Sequence, residues 1–228
     1  MHTKKLAIFD IDGTLFRSSL GVELIYELVE QQIFPKEAQN EIDQDYKAWI
    51  NRQGQYEKFI SQVVDVYQKH ITGCKKIDVE KVSRYIVEIH KQRVYRYTRD
   101  LIKDLHEKGF ILITISGSPM EIVKAFNEYW HFEHCIGTTF ETTNGYYTGD
   151  ILLEPAKDKQ TILKQYCEQH NFPLFGSVGI GDTESDASFL ELVDQPIAFN
   201  PNSNLKKIAE QKGWKIIVER KDVIYEIQ

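Results

Sequence analysis

The chain has 228 residues with a formal net charge of −6, and 42% of its residues are hydrophobic. This composition predicts a packed globular core, large enough for one domain or for a core with an inserted module. Lys and Arg are spread without a dense basic block, so a nucleic-acid-binding role has little support. No apolar run approaches the ~18 residues of a membrane span, so we expect neither a membrane protein nor a signal peptide. The three widely spaced cysteines favour reduced thiols and a cytoplasmic location.

The first predicted element is a buried strand, Leu6–Phe9, which ends directly before an acidic residue. From about Leu20 the apolar residues instead recur with helical spacing. Four amphipathic helices are predicted, over residues 20–34, 35–51, 56–73 and 79–89, the last with Asp78 as its N-cap. Residues 17–97 therefore form a predicted helical cap, a small bundle inserted into a different kind of domain. The aromatic stripe of the third helix, Tyr56, Phe59 and Tyr67, is expected in the core of that bundle.

Helices and strands alternate after Thr98. Such alternation predicts a parallel sheet covered on both faces, so we expect a doubly wound, Rossmann-like α/β/α core built from residues 1–16 and 98–228. Residues 118–121 form a capping-box pattern that begins one helix, and Asn144-Gly145 marks a hairpin. The predicted strands are 110–115, the hairpin 139–152, 178–180, 197–199 and 214–218, and the predicted helices are 100–108, 119–130, 159–170, 187–192 and 205–212.

Polar residues directly follow three of these strands: Asp10, Ser116 and Asp182. Doubly wound sheets bind ligands at the carboxyl ends of their strands, so we expect these residues to meet. Asp10 is ionised at pH 7 and is the candidate nucleophile, whereas Asp12 is the candidate general acid and base. Further acids in residues 181–186 add repulsion, about 4 kcal/mol between unit charges about 4 Å apart at an effective dielectric of about 20. This clustering predicts a hard cation with oxygen ligands, Mg²⁺.

A nucleophilic carboxylate beside Mg²⁺ suggests a phosphoryl-transfer site. Such a site also requires a positively charged side chain and hydrogen-bond donors that bind the phosphate. Lys157 and Lys159 are both candidates for the cation, and Lys159 is preferred because it begins a predicted helix. Ser116, the backbone N–H of Gly117 and the N-terminus of the helix that follows are candidate oxyanion donors. The predicted substrate is a small phosphorylated metabolite.

These motifs resemble the haloacid dehalogenase superfamily. Residues 10–14 match its first motif, Ser116 its second, Lys159 its third and residues 181–186 its fourth, in that order along nearly the whole chain. Asp12 is present in the phosphatases and phosphomutases of the superfamily and absent from its dehalogenases and cation-pumping ATPases. The helical cap between the first two motifs is similar to that of the phosphoserine-phosphatase-like branch.

The resemblance implies a phosphatase that forms an aspartyl-phosphate intermediate on Asp10, from which water then releases phosphate. It also implies Mg²⁺ held by Asp10, by the backbone carbonyl of Asp12 and by Asp182. Asp186 would act beside them, as a further metal ligand or as the partner of Lys159.

Departures from the phosphoserine phosphatases concern the substrate. Ser19 stands where those enzymes carry a Glu for the substrate amine, and Ser61 stands where they carry a cap Arg for the substrate carboxylate. Both departures argue against phosphoserine. Arg17 and Arg52 are candidates for binding a different anionic group. Neither the substrate nor the oligomeric state follows from the sequence.

Three alternatives stay open. A phosphomutase would return the phosphate to a product held under the helical cap. A catalytically silent sensor would bind a phosphorylated ligand, although the intact Asp10 and Asp12 argue against it. His131 and His134 have the helical spacing of a zinc-ligand pair, but no second pair is apparent.

Overall fold

The computed structural model describes residues 4–227, which contain one eight-stranded sheet and nine α-helices. The strands are β1 (Leu6–Phe9), β2 (Ile111–Pro119), β3 (His134–Thr143), β4 (Tyr146–Leu153), β5 (Val178–Gly181), β6 (Gln195–Phe199), β7 (Lys215–Arg220) and β8 (Val223–Ile227). The helices are α1 (Leu20–Glu30), α2 (Lys36–Ile50), α3 (Tyr56–Ile71), α4 (Lys76–His90), α5 (Arg96–Glu107), α6 (Met120–Trp130), α7 (Lys159–His170), α8 (Glu184–Leu190) and α9 (Ser203–Lys212).

The strand order is β4-β3-β2-β1-β5-β6-β7-β8, with β1 paired in parallel to both β2 and β5. The six central strands are parallel, and each edge is closed by an antiparallel strand, β4 on one side and β8 on the other. The chain leaves β1 towards β2 and later returns to its other side at β5. This reversal opens a crevice at the carboxyl ends of β1 and β5, where doubly wound sheets bind their ligands.

The sheet is covered on both faces because its strands are apolar on both faces. Along β1, Leu6 and Ile8 pack in one core with residues of α7, α8 and α9. Ala7 and Phe9 point the other way, into a core shared with α5, α6 and the helical cap. The predicted three-layer α/β/α fold is confirmed.

Helices α1 to α4 follow one another between β1 and α5 and pack against one another. Each carries a buried apolar stripe, as in α1, where Leu24, Ile25 and Leu28 are fully buried. The β3–β4 hairpin reaches this bundle through backbone hydrogen bonds. The N–H of Gly73 donates to the carbonyl of Tyr147 at 2.8 Å, and the N–H of Tyr147 donates to the carbonyl of Cys74 at 3.0 Å.

Several predicted element boundaries are wrong. Helix α4 begins at Lys76, so Asp78 lies in its first turn and is not its N-cap. Helix α5 begins at Arg96, four residues before the predicted start. The final strand pairs with β8, which the sequence analysis missed. The hairpin prediction is confirmed, since Asn144 and Gly145 have φ of 52° and 82°, the left-handed values that a tight two-residue turn requires.

The predicted capping box at residues 118–121 is also wrong. Strand β2 continues to Pro119, and α6 begins at Met120 without a side-chain cap. The Ser118 hydroxyl therefore remains available for contacts elsewhere, and it makes them at the carboxyl end of the sheet.

No helix among residues 4–227 has the length and apolar character needed to cross a membrane.

Candidate active site

Two carboxylates meet at the crevice because their strands are neighbours. Asp10 follows β1 and Asp182 follows β5, and the Asp10 N–H donates to the carbonyl of Ile180 at 3.0 Å. Both side chains are more than nine-tenths buried. The turn after Asp10 passes very close to Asp182, since a Cβ added to Gly13 would lie 2.0 Å from Asp182 Oδ2. Only glycine fits there, and its φ of +77° also favours glycine.

Lys159 lies between two of the acids. Its Nζ is 2.7 Å from Asp10 Oδ1 and 2.6 Å from Asp186 Oδ1, and its side chain is 3% exposed. Asp158 caps α7 by accepting the N–H of Thr161 at 2.9 Å, which fixes Lys159 as the first helical residue. Burial by itself would lower the pKa of Lys159, but the two carboxylates outweigh it and hold the pKa above its usual value. The ammonium therefore stays charged.

The other candidate lysine is not at the site. Lys157 lies at the surface, 75% exposed, and pairs with Glu154 at 2.6 Å. The structure thus separates two lysines that are two residues apart in the sequence.

The site contains more carboxylate groups than positively charged groups. Burial, followed by the neighbouring carboxylates, raises the pKa of Asp10 to about 7 despite its contact with Lys159. Burial and the charges of Asp10 and Asp186 also raise the pKa of Asp182 well above its usual value. Oxygen atoms of these three acids lie within 4.8 Å of one another, and Asp10 Oδ2 is buried without a hydrogen-bond partner. Three closely spaced carboxylates with too little positive charge around them fit a hard divalent cation.

Asp186 has less capacity for a metal ion than Asp10 or Asp182. Its Oδ2 accepts the backbone N–H groups of Asp182 and Thr183, both at 3.0 Å, and its Oδ1 accepts Lys159. Each oxygen is thus already engaged by protein donors. These contacts hold the loop after β5 and orient Lys159.

Asp12 is held by donors from three segments. Its Oδ1 accepts the N–H of Leu20, the first residue of α1, at 2.5 Å. Its Oδ2 accepts the hydroxyls of Ser116 and Ser118 at 2.9 and 2.8 Å. Burial raises the pKa of Asp12, and these three hydrogen bonds oppose that rise. The opposing effects suit a group that must both hold and release a proton.

Ser118 links Asp12 to the helical cap. Besides donating to Asp12, its hydroxyl accepts the N–H of Gly21 in α1 at 3.1 Å. The capping-box pattern assigned Ser118 to a helix cap, so this contact was not predicted. Only the extension of β2 to Pro119 shows that the side chain is free to reach Asp12.

A cavity of about 130 Å³ lies over the acids. Its floor includes Asp10, Asp12, Lys159 and Asp182, and Gly117 and Ser19 also border it. Helix α3 and β3 supply the opposite wall, which consists of Tyr56, Ile60, Val63, Val64, Tyr67 and Phe140. Helical periodicity placed Tyr56, Phe59 and Tyr67 in the core of the bundle; Phe59 and Tyr67 are buried there with Tyr56 packed against them, and Tyr56 and Tyr67 also line this cavity.

The candidate cations for a second anionic group are not in the cavity wall. Arg17 is exposed, with its guanidinium 5.8 Å from the centre of the Tyr95 ring. Arg52 and Ser61 are exposed as well, and neither lines the cavity. Ser61 is therefore weak evidence against phosphoserine as the substrate, because its position on α3 faces away from the acids.

The zinc hypothesis gains no support. Within residues 4–227, the one group of three or more side chains spaced to hold a metal ion is Asp10, Asp182 and Asp186. His134 instead packs its ring against Tyr166 and His170, with ring centres 5.2 and 5.0 Å away.

Comparison with known proteins agrees with this geometry. A family model of haloacid dehalogenase-like hydrolases matches residues 7–191. The chain belongs to this family. It is 27% identical to a histidinol-phosphatase of Neisseria meningitidis, over 94% of the chain and 98% of the relative. It is 24% identical to a phosphoserine phosphatase of Methanocaldococcus jannaschii, over 96% of the chain and 94% of the relative.

Solved structures show the same fold. A Bordetella pertussis protein of unknown function has a TM-score of 0.76 at 21% identity, covering 94% of this chain and 98% of that one. A phospho-aspartyl intermediate analogue of phosphoserine phosphatase has a TM-score of 0.61 at 21% identity, covering 96% and 95%. The predicted superfamily and the predicted enzyme class, a phosphatase, are confirmed.

In this haloacid dehalogenase-like hydrolase, some predicted site residues line the cavity and others are buried behind them. Asp10, Asp12, Lys159 and Asp182 reach the cavity, as does the backbone at Gly117. Ser116 and Asp186 are fully buried and do not line it. Both contact residues that do, Ser116 through Asp12 and Asp186 through Lys159.

Proposed function

We propose that the protein is a Mg²⁺-dependent phosphatase of small phosphomonoesters that works through an aspartyl-phosphate on Asp10. The observation that carries this proposal is the state of the Asp10 carboxylate. One oxygen is fixed by Lys159 at 2.7 Å, while the other is buried without a partner beneath the cavity. A carboxylate oriented in this way is prepared to attack a phosphoryl group placed above it.

The proposed reaction has two steps. The Asp10 carboxylate attacks phosphorus, the ester P–O bond breaks, and Asp12 gives its proton to the leaving alkoxide. Water then attacks the phosphorus of the aspartyl-phosphate and loses a proton to Asp12. The bond between Asp10 and phosphorus breaks, which frees inorganic phosphate and restores the Asp10 carboxylate. Lys159 and the backbone N–H of Gly117 bind the phosphoryl oxygens, and Ser116 and Ser118 hold Asp12 in position.

Asp10, Asp182 and the backbone carbonyl of Asp12 would hold Mg²⁺. When bound, the ion neutralises the excess of carboxylates and stabilises negative charge on the phosphoryl group. Asp186 acts as the partner of Lys159, because its oxygens already accept protein donors.

Two parts of the chain have different roles in this proposal. Residues 1–16 and 98–228 form the catalytic core, and residues 17–97 form the cap that covers the substrate. The relatives named as phosphoserine and histidinol phosphatases favour a small phosphorylated metabolite. A cavity of about 130 Å³ favours the same class, since a folded polypeptide substrate does not fit under α3.

Asp10→Asn tests the proposal directly. The wild-type protein with Mg²⁺ should release phosphate from acetyl phosphate, and brief exposure to ³²P-labelled substrate should leave acid-stable label on the chain. Asp10→Asn should lose both signals, whereas Asp104→Asn, a change in an exposed residue of α5, should keep them. EDTA should stop turnover, and added Mg²⁺ should restore it.

The same assay separates the alternatives. Label that ends on an isomeric product, with none released as phosphate, would indicate a phosphomutase. Ligand binding without turnover of any phosphomonoester would indicate a sensor. Full activity in Asp10→Asn would contradict the assignment of the nucleophile.

A further inference from the structure

The wall of the cavity that faces the acids is apolar. Helix α3 lines the cavity with residues that follow one another at intervals of four, three, one and three positions, which is one face of a helix. Phe140 of β3 extends this face, with its ring centre 5.4 Å from that of Tyr67. We call these residues the apolar wall: Tyr56, Ile60, Val63, Val64, Tyr67 and Phe140.

The charged side chains that border the cavity all belong to its floor, where they are already engaged. The Lys159 ammonium contacts two carboxylates, and in the proposed function it binds the phosphate. Asp12 accepts three protein donors, and Asp10 and Asp182 are the proposed Mg²⁺ ligands. In the part of the chain that the structure describes, no other charged residue lines the cavity. A second charged group on the substrate would therefore lie against the apolar wall without a counter-ion, which is costly.

The hydroxyl groups at the edge of the cavity are bonded within the protein. Ser19 caps α1 by accepting a backbone N–H at 3.4 Å. Thr138 donates to the carbonyl of Gly117 at 2.7 Å, and Thr183 and Ser185 share a hydrogen bond at 2.8 Å. The edge of the cavity is therefore polar but uncharged, and it adds no ion pair for the substrate.

Ser19 also gives meaning to one departure from the phosphoserine phosphatases. Unlike Ser61, it borders the cavity, at the position where those enzymes carry a Glu for the substrate amine. A neutral hydroxyl at this place leaves an amine without its counter-ion.

We propose that the apolar wall binds the alcohol part of the substrate, so that the substrates are phosphomonoesters of uncharged, largely apolar alcohols. This inference rests on the phosphatase function proposed above. The phosphate lies at Asp10 and Lys159, and the carbon chain or ring of the alcohol lies against α3. A cavity of about 130 Å³ limits that group to a small one.

Two pairs of esters that differ in charge but not in shape test the proposal. With the full chain and Mg²⁺, 3,3-dimethylbutyl phosphate is compared with choline phosphate, its cationic isostere. Likewise, 3-methylbutyl phosphate is compared with 3-phosphonooxypropanoate, its anionic isostere. We expect kcat/KM to be at least about tenfold higher for the neutral ester of each pair, because a charged group loses hydration at the apolar wall without gaining a partner. Acetyl phosphate, which has no alcohol group to recognise, reports the basal phosphatase activity.

A homologous series measures the apolar contact itself. From methyl to ethyl to propyl phosphate, the leaving alcohols have similar basicity, so differences in rate report binding of the carbon chain. We expect kcat/KM to rise by about fourfold for each added methylene, the effect of removing that group from water. Equal kcat/KM along the series would overturn the contact with the apolar wall.

Val64→Lys connects the charge preference to the apolar wall. Val64 lines the cavity and is half-buried, so the stem of a lysine can lie along the wall. This variant should raise the ratio of kcat/KM for 3-phosphonooxypropanoate to that for 3-methylbutyl phosphate by about tenfold or more. Gln62→Lys adds the same charge at a half-buried position of α3 outside the cavity lining, and should keep the wild-type ratio. Thermal unfolding checks that both variants are folded; if Val64→Lys is not, the wild-type pairs and the homologous series still decide the question.

The outcomes separate the substrate class from the proposed function. Turnover of acetyl phosphate with equal kcat/KM within each pair, or with a preference for a charged ester, would overturn the substrate class alone. An unchanged ratio in folded Val64→Lys would overturn the role of α3 in binding the alcohol. Absence of all turnover, acetyl phosphate included, would overturn the proposed function and the substrate class with it.

Discussion

The Nζ of Lys159 lies 2.7 Å from Asp10 Oδ1, although 149 residues separate them in the chain. The same Nζ lies 2.6 Å from Asp186. One buried cation therefore holds the first and fourth motifs together. Because it stands between two buried carboxylates, its loss should destabilise the site and, in the proposed function, weaken the binding of phosphate.

Lys159→Gln should lower kcat/KM by at least about 100-fold, since it removes a buried charge that stabilises the transition state. It should also lower the free energy of unfolding by about 3–5 kcal/mol in the metal-free protein, because two buried carboxylates lose their partner. Kinetic assays and urea unfolding measure the two effects. Lys157→Gln, which changes only an exposed pair, is the matched control, and an equal loss there would contradict the choice between the two lysines.

Gly13→Ala should displace Asp182, because the new Cβ would lie 2.0 Å from its Oδ2. We expect weaker Mg²⁺ binding, at least about tenfold lower activity and a loss of about 1–3 kcal/mol of stability. Gly109→Ala is the control, since Gly109 has a similar φ of +75° but nothing within 4 Å of the added Cβ. Titration of activity with Mg²⁺ separates the clash from backbone strain. Equal effects in the two variants would show that strain alone is responsible.

Mg²⁺ should stabilise the fold more at pH 8 than at pH 5.5. Burial raises the pKa of Asp10 from 3.8 to about 7, so the metal-free native state keeps a proton that the unfolded chain has lost. Stability of the metal-free protein should therefore fall as pH rises between about 4 and about 7, with each unit of pKa shift worth about 1.4 kcal/mol. Melting temperatures with EDTA and with Mg²⁺ measure the difference. If the rise in melting temperature caused by Mg²⁺ did not depend on pH, that result would contradict this electrostatic account.

Ser118→Ala should lower kcat by about tenfold, because Asp12 loses one of the three donors that orient it. The melting temperature should fall by no more than about 2–4 °C, since the change leaves only the N–H of Gly21 without its partner. Ser188→Ala, in a half-buried serine of α8, is the control. Unchanged kcat in Ser118→Ala would show that Ser116 and Leu20 suffice to hold Asp12.

Local patterns predicted the architecture well. The apolar run before Asp10 is a strand because both of its faces are buried, and the periodicity of residues 20–90 gives four helices. Patterns of this kind follow from contacts that each element makes on its own faces. The start of α6 was misplaced because Ser118 and Glu121 satisfy the capping-box pattern, although β2 continues through Ser118 to Pro119 and α6 begins only at Met120.

The sequence by itself determined the family and the phosphatase class, since Asp10 and Asp182 each stand at the end of a predicted strand and parallel strands bring their carboxyl ends together. Only the tertiary structure decided between Lys157 and Lys159, because one turn of 3-10 helix at Pro155–Lys157 directs one lysine outward and the other inward. Burial and pairing depend on long-range packing, which no local pattern records.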